Sequence, residues 1–158
     1  MGALPVLDMV YAVTVASQAL QGPAFMTTNP RVLLAPPPKR GSSLTIPRAD
    51  GGIPLPQRLG VVQDTLRMLF IGDVTRTGAA ATNPAEELLT TLHWFDANVY
   101  QATPGADNAH AITVAGPGSF SRSGRIQWRS FEWGDTEEAF GLTMCRAALS
   151  FEIPQRLA

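Results

Sequence analysis

Charge is scarce in this chain. Asp, Glu, Lys and Arg make up 16 % of its 158 residues, against roughly 25 % in ordinary soluble domains. The polar surface must therefore be built from Ser, Thr, Gln, Gly and Pro. Charge is depleted where a surface meets other subunits, so one reading is a protein that hides much of itself in contacts; the other is compositional drift in an alanine-rich sequence. The formal net charge of −1 gives no reason to expect nucleic-acid binding through phosphate neutralisation. Cysteine occurs once, at Cys145, which excludes an intramolecular disulfide and a cysteine-based zinc cluster. Its apolar setting is that of a buried thiol rather than a nucleophile.

Long hydrophobic runs are missing too. Residues 1–26 are apolar, but no Lys or Arg precedes the apolar stretch, and Pro5 and Asp8 interrupt it. That is a poor secretion signal. Nothing reaches the ~20 uncharged apolar residues of a membrane-spanning helix, so no membrane insertion is expected.

Catalytic patterns are equally sparse. His93 and His110 are the two histidines, and they lack the close spacing of a metal pair. Gly116-x-Gly118 is followed by no helix, so it is not a dinucleotide fingerprint. No phosphate-binding loop and no G-x-S-x-G elbow occur. The serine-rich residues 117–124 read as a hairpin loop. Glu86-Glu87 falls in the first turn of a helix and Glu137-Glu138 in a loop, where solvated charge is the default. The expectation is a non-enzyme with no catalytic residues, no cofactor and no metal site.

What is present is a succession of short strands. The length suits one domain, residues 1–158. Residues 9–16 are β-branched and aromatic enough for a strand, with a helix over 6–20 as the competitor. Residues 31–35 make a short strand candidate, and Pro36-Pro37-Pro38 a stiff connector. Ser42 to Ile46 makes another candidate. Residues 61–71 read as a strand with Leu66, Met68 and Phe70 on one face and Thr65 and Arg67 on the other; Leu69 and Ile71 add a second apolar face near its end, to be covered by a helix or another subunit.

The clearest helix is 84–99. Asn83 suits the N-cap, Pro84 the first position, and Glu86 and Glu87 the positive first turn. Leu88, Leu92, Phe95 and Val99 form one apolar stripe. Strands follow at 109–115, at 124–133 and at 142–153. In 124–133, Ile126, Trp128 and Ser130 alternate with Gln127, Arg129, Phe131 and Trp133, and Gly134-Asp135 ends the run. In 142–153, Cys145, Ala147, Leu149, Phe151 and Ile153 share one face. Several strands, one helix, then three strands is not a βαβ alternation. The fold class is mainly β with one packed α-helix (α+β), a β-sandwich or open barrel.

Three stretches carry a family resemblance. They are Ile46-Pro47-Arg48-Ala49-Asp50-Gly51 with Leu55-Pro56, the strand end Phe70-Ile71-Gly72-Asp73-Val74, and the closing pieces Gly124–Trp128, Trp133-Gly134-Asp135 and Arg146–Leu149 to Ile153-Pro154. Their order resembles the belt domain of siphophage distal tail proteins of the actinobacteriophage minor-tail type, related in fold to tail tube proteins. The resemblance spans about residues 31–154. Ala49 departs from the family's glycine, and the expectation is one belt-type domain over residues 1–158 without the second, OB-like domain of many distal tail proteins.

The resemblance implies a structural virion protein of a long-tailed bacteriophage, made in the host bacterial cytoplasm. It implies a homo-hexameric ring at the distal end of the tail, joined sheet edge to sheet edge. Such a ring would contact the tail tube protein and the tail tip or hub proteins, and leave a channel that DNA passes transiently. Tube and terminator subunits share the fold and are the alternatives. Arg48 and Asp50 are the candidate intersubunit contacts, Asp50 having the alternative of capping its own turn with Gly51 at positive φ. A reading of another class is a stand-alone carbohydrate-binding module that stacks sugars on Trp94, Trp128 and Trp133. A hydrolase using His110 and a serine of 117–124 is a third.

Overall fold

The computed structural model describes residues 11–40, 43–45, 52–54, 58–73, 83–139 and 141–158. Among the described residues the strands are β1 (Ala12–Val15), β2 (Gln18–Ala19), β3 (Phe25–Thr27), β4 (Lys39–Arg40), β5 (Ser43–Thr45), β6 (Gly52–Pro54), β7 (Arg58–Leu59), β8 (Val62–Gly72), β9 (His110–Ala115), β10 (Ser121–Ala139) and β11 (Leu142–Ile153), with one α-helix, α1 (Pro84–Phe95), between β8 and β9. Seven strands form one sheet in the order β2–β1–β9–β10–β11–β8–β3, and every neighbouring pair is antiparallel. The mainly-β class with one helix is what the residue patterning predicts.

The strand β10 holds the sheet together. Its first part, Ser121 to Ile126, pairs with β9; from Gln127 onward it pairs with β11 instead. A bulge follows at once: Trp128 lies opposite Phe151, but Ser130 lies opposite Ser150, leaving Arg129 as the extra residue. A bulge bends the strand and increases its twist. Both halves of the sheet feed one core, with Val13, Val15, Ile112 and Val114 from the β1–β9 side and Leu66, Phe70, Leu149 and Phe151 from the β8–β11 side.

The same bulge overturns the expected alternation of residues 124–133. Cross-strand partners share a face. Trp128, Phe131 and Trp133 stand opposite Phe151, Leu149 and Ala147, all of which are buried. The extra residue thus brings Phe131 and Trp133 onto the face of Ile126 and Trp128. Nor does Gly134-Asp135 end the strand. A second bulge between Trp133 and Thr136 absorbs it, and β10 runs on to Ala139. A Cβ on Gly134 would lie 2.8 Å from the Arg146 carbonyl oxygen, so glycine is there for close packing rather than for a turn. Glu137 and Glu138 consequently lie in a strand and not in a loop.

Helix α1 starts as its sequence dictates. Asn83 accepts a hydrogen bond from the Glu86 N–H at 2.9 Å, and Pro84 occupies the first turn. Leu88, Leu92 and Phe95 are buried against the core face of β8 and β11; Phe95 meets Phe70 edge to face, with centroids 5.1 Å apart. The helix continues as a π-helical turn, Asp96–Tyr100, which keeps Val99 buried. Gly72 lets the helix sit on the end of β8, since a Cβ there would collide with the Pro84 carbonyl and Leu88.

Residues 30–34 form a 3₁₀ turn, Pro30–Leu34, where a short strand was expected. Pro30 presets φ for a turn, the Val32 N–H donates to the Asn29 carbonyl, and Leu33 is buried. Away from the large sheet, β4 pairs with β7 and β5 with β6, with Thr45 opposite Gly52. The connection of this second ribbon contains Arg48 and Asp50, which lie outside the described residues.

Candidate assembly surface

The sheet margins differ from one another. On the β8 side the chain covers its own edge. β3 pairs with Met68 to Phe70, the Ile71 N–H donates to the Ala24 carbonyl, and the Thr28 N–H donates to the Arg67 carbonyl. Past β3 a side chain substitutes for backbone: Asn29 Nδ2 donates to the Thr65 carbonyl at 3.0 Å, and Asn29 Oδ1 accepts from the Arg67 N–H at 2.7 Å. On the far side, β2 and the Leu20 N–H cover β1. The first part of β10 is closed on both sides, by β9 and by Ala158, which exchanges two main-chain hydrogen bonds with Ser123 at 2.8 and 2.9 Å. Leu157 packs there on Gly124.

The second part of β10 is different. Gln127 to Ala139 has β11 on one margin, and among the described residues no strand or main-chain group pairs with the other. An unpaired row of N–H and C=O groups is a template for another strand. Glu132 to Glu138 is exposed throughout. Sequence reasoning missed this margin because it ended the strand at Gly134. The usable signal was β11 itself: a 12-residue strand needs neighbours of comparable length.

The face of β10, β11 and β8 that points away from the core is mixed. Glu132, Ala148 and Arg67 form one row across it, and Arg146, Leu69 and Met26 form another. Between them lies a shallow groove of about 540 Å³ whose walls include Arg67, Leu69, Glu132 and Arg146. Leu69 and Ile71, the second apolar face of β8, belong to this side; α1 covers the other. Neither Arg67 nor Arg146 has an ion-pair partner among the described residues.

Elsewhere, polar groups are tied into the fold. Arg125 holds Asp107 by two hydrogen bonds, which keep that carboxyl well below the usual range, at about 2. His110, buried at the start of β9, is pushed below its ordinary pKa first by burial and then by the Arg125 charge, against an opposing pull from Asp107. Cys145 is buried, and burial raises its thiol pKa.

No catalytic grouping emerges from these side chains. Ser123 faces Thr113 at 3.3 Å, and His110 pairs with Ile126 in the ladder. Among the described residues no group of three His, Cys, Asp or Glu side chains is arranged to hold a metal, and no helix is long and apolar enough to cross a membrane. The tryptophans rest on separate neighbours: Trp94 on Phe25, Trp133 on His93 and Phe131, and Trp128 against the core. They do not form one stacking platform.

The chain matches no protein-family model and no curated protein sequence. A search of solved structures finds relatives in shape. One is the crystal structure of the SPP1 Dit (gp 19.1) protein, presented as a paradigm of the hub adsorption apparatus in phages infecting Gram-positive bacteria. The alignment has a TM-score of 0.54 at 16 % identity and covers 93 % of this chain. The two proteins share a fold. The chain spans about half of the SPP1 protein, 51 % of its length.

Proposed function

We propose that this chain is a structural protein of a long-tailed phage. It forms a distal tail ring of six identical copies that joins the tail tube to the tip or hub and leaves a channel for DNA. One observation carries the reading: a chain with the fold of a phage hub protein has one long strand margin, on β10, that nothing among the described residues pairs with. Ring closure requires a heterologous interface, in which one patch meets a different patch on the next copy. An unpaired strand margin supplies such a patch through main-chain hydrogen bonds. A stable contact of this type hides on the order of 1,600 Å², which accords with a surface poor in charge. The protein acts by burial and geometry, without a reaction step, and its place is the virion.

Arg48 and Asp50, on the connection between β5 and β6, are proposed to dock on the adjacent copy or on the next ring. Negative-stain microscopy of the purified full chain tests both ideas. Discrete rings are the expected particles, and tubes of open length would reassign the chain to the tail tube. Arg48→Glu is expected to lose the rings while keeping the β-rich circular dichroism of the parent. Intact rings in that variant would remove Arg48 from the interface.

A further inference from the structure

We infer that the face of the β10–β11–β8–β3 layer turned away from α1 is a docking surface for an amphipathic helix of another protein, one with acids along one flank of its apolar stripe and bases along the other. Two neighbouring rows hold the apolar part of this face. Arg146, Leu69 and Met26 form one, and Glu137, Met144 and Ile71 the next. Leu69, Met26, Met144 and Ile71 therefore make one contiguous patch, half-buried except for Met26, which is 38 % exposed. Charges of opposite sign flank it. Arg67 and Arg146 stand on β8 and β11, and Glu132 and Glu137 on β10. All four are exposed, and among the described residues none is in an ion pair.

The chemistry of the face selects its occupant. Main-chain hydrogen bonds of a sheet run between its strands, so a partner lying on the face meets side chains alone, which rules out an added strand. Glu132 and Glu137 share the face with the two arginines and would repel the phosphates of a nucleic acid. Separate charges of both signs suit a protein that carries both in complementary places. Three strand spacings make the layer roughly 14 Å wide, room for one helix of about 10–12 Å. Methionine adapts to irregular partners and is over-used on surfaces that receive amphipathic helices. The chain's own α1 is not available for this, because its Leu88, Leu92 and Phe95 are buried in the core. The helix comes from a different protein.

Methionine-methyl NMR on the full chain tests this. The probe is a synthetic amphipathic helix with a leucine stripe, glutamates on one flank and lysines on the other. With peptide raised to about 1 mM, the Met26 and Met144 methyl signals are expected to shift, while that of Met68, buried on the core side of β8, stays in place. Arg67→Glu with Arg146→Glu in one chain should weaken binding about tenfold or more. A peptide with lysine on both flanks should then bind this variant better than it binds the parent. No shift at the highest peptide concentration, or shifts that the double variant leaves unchanged, would overturn the inference. Equal shifts with an oligothymidine strand would make the face a nucleic-acid contact and overturn it too. Met26→Cys treated with a short bis-maleimide is expected to remain a single chain, Cys145 being buried; a covalent dimer would assign the face to a second copy and overturn the choice of partner. Light scattering that finds only monomer would remove the ring and leave this test standing, since the face lies off the sheet margins.

Discussion

Arg125 grips Asp107 with two nitrogens, Nε donating to Oδ2 at 2.9 Å and Nη2 to Oδ1 at 2.6 Å, while the same Nη2 also donates to the Ala109 carbonyl at 2.7 Å. The clamp ties the loop before β9 to β10. Because Asp107 is held at about 2 against an ordinary 3.8, the fold favours its charged form. Its contribution is present in full above about pH 4 and is lost as pH falls through about 2. Asp107→Asn should remove that part of the acid dependence in urea titrations run at successive pH values. Both groups are solvent-exposed, so the difference should shrink at high salt.

His110 contributes at a different pH. Its folded pKa lies below the ordinary 6.5, so the unfolded chain binds the extra proton and stability rises with pH. Stability should be complete above about 6.5 and decline as pH falls through the folded value. His110→Gln should flatten the urea midpoint across this range, whatever its effect on the midpoint at neutral pH. An unchanged slope would assign the dependence to another group.

The hairpin from β1 to β2 turns on Ala16 and Ser17, both at positive φ (50° and 66°). A two-residue hairpin favours that geometry, but only Gly, Asn and Asp adopt it cheaply. Replacing Ala16-Ser17 by Asn-Gly should raise stability by about 1–2 kcal/mol, seen as a higher urea midpoint at constant slope.

Gly72→Ala should act in the other direction. Its Cβ would press on the Pro84 carbonyl and on Leu88 Cβ, 3.0 Å away. Relief requires α1 to move off β8, with a cost of about 1–3 kcal/mol. An unaltered melting temperature would contradict the close approach of helix and strand.

Legibility in the sequence followed period and chemistry. Helix α1 was readable because Asn83, Pro84 and the stripe Leu88, Leu92, Phe95 and Val99 agree with one another, and β8 and β11 because their alternation is unbroken. Residues 31–35 misled because β-branched and apolar residues suggest a strand, while Asn29 and Pro30 start a turn. β10 misled at two points, each a bulge. Nothing local in Trp128-Arg129-Ser130 announces an extra residue, and Gly134-Asp135 resembles a terminator until its packing on Arg146 is seen. The assembly surface was legible only as an expectation of an open edge. Which edge it would be depended on where β10 ends and on what covers β8, both of them tertiary facts.

The account as a whole depends on β10 finding its missing neighbour in an identical chain. Light scattering on the purified full-length protein, coupled to size exclusion and repeated over a wide range of concentration, measures this most directly. The predicted result is a discrete mass at a whole multiple of the 16.9 kDa chain, six-fold for the proposed ring, that gives way to single chains as dilution weakens the joint. A mass of one chain at every concentration, with the fold intact, would contradict it.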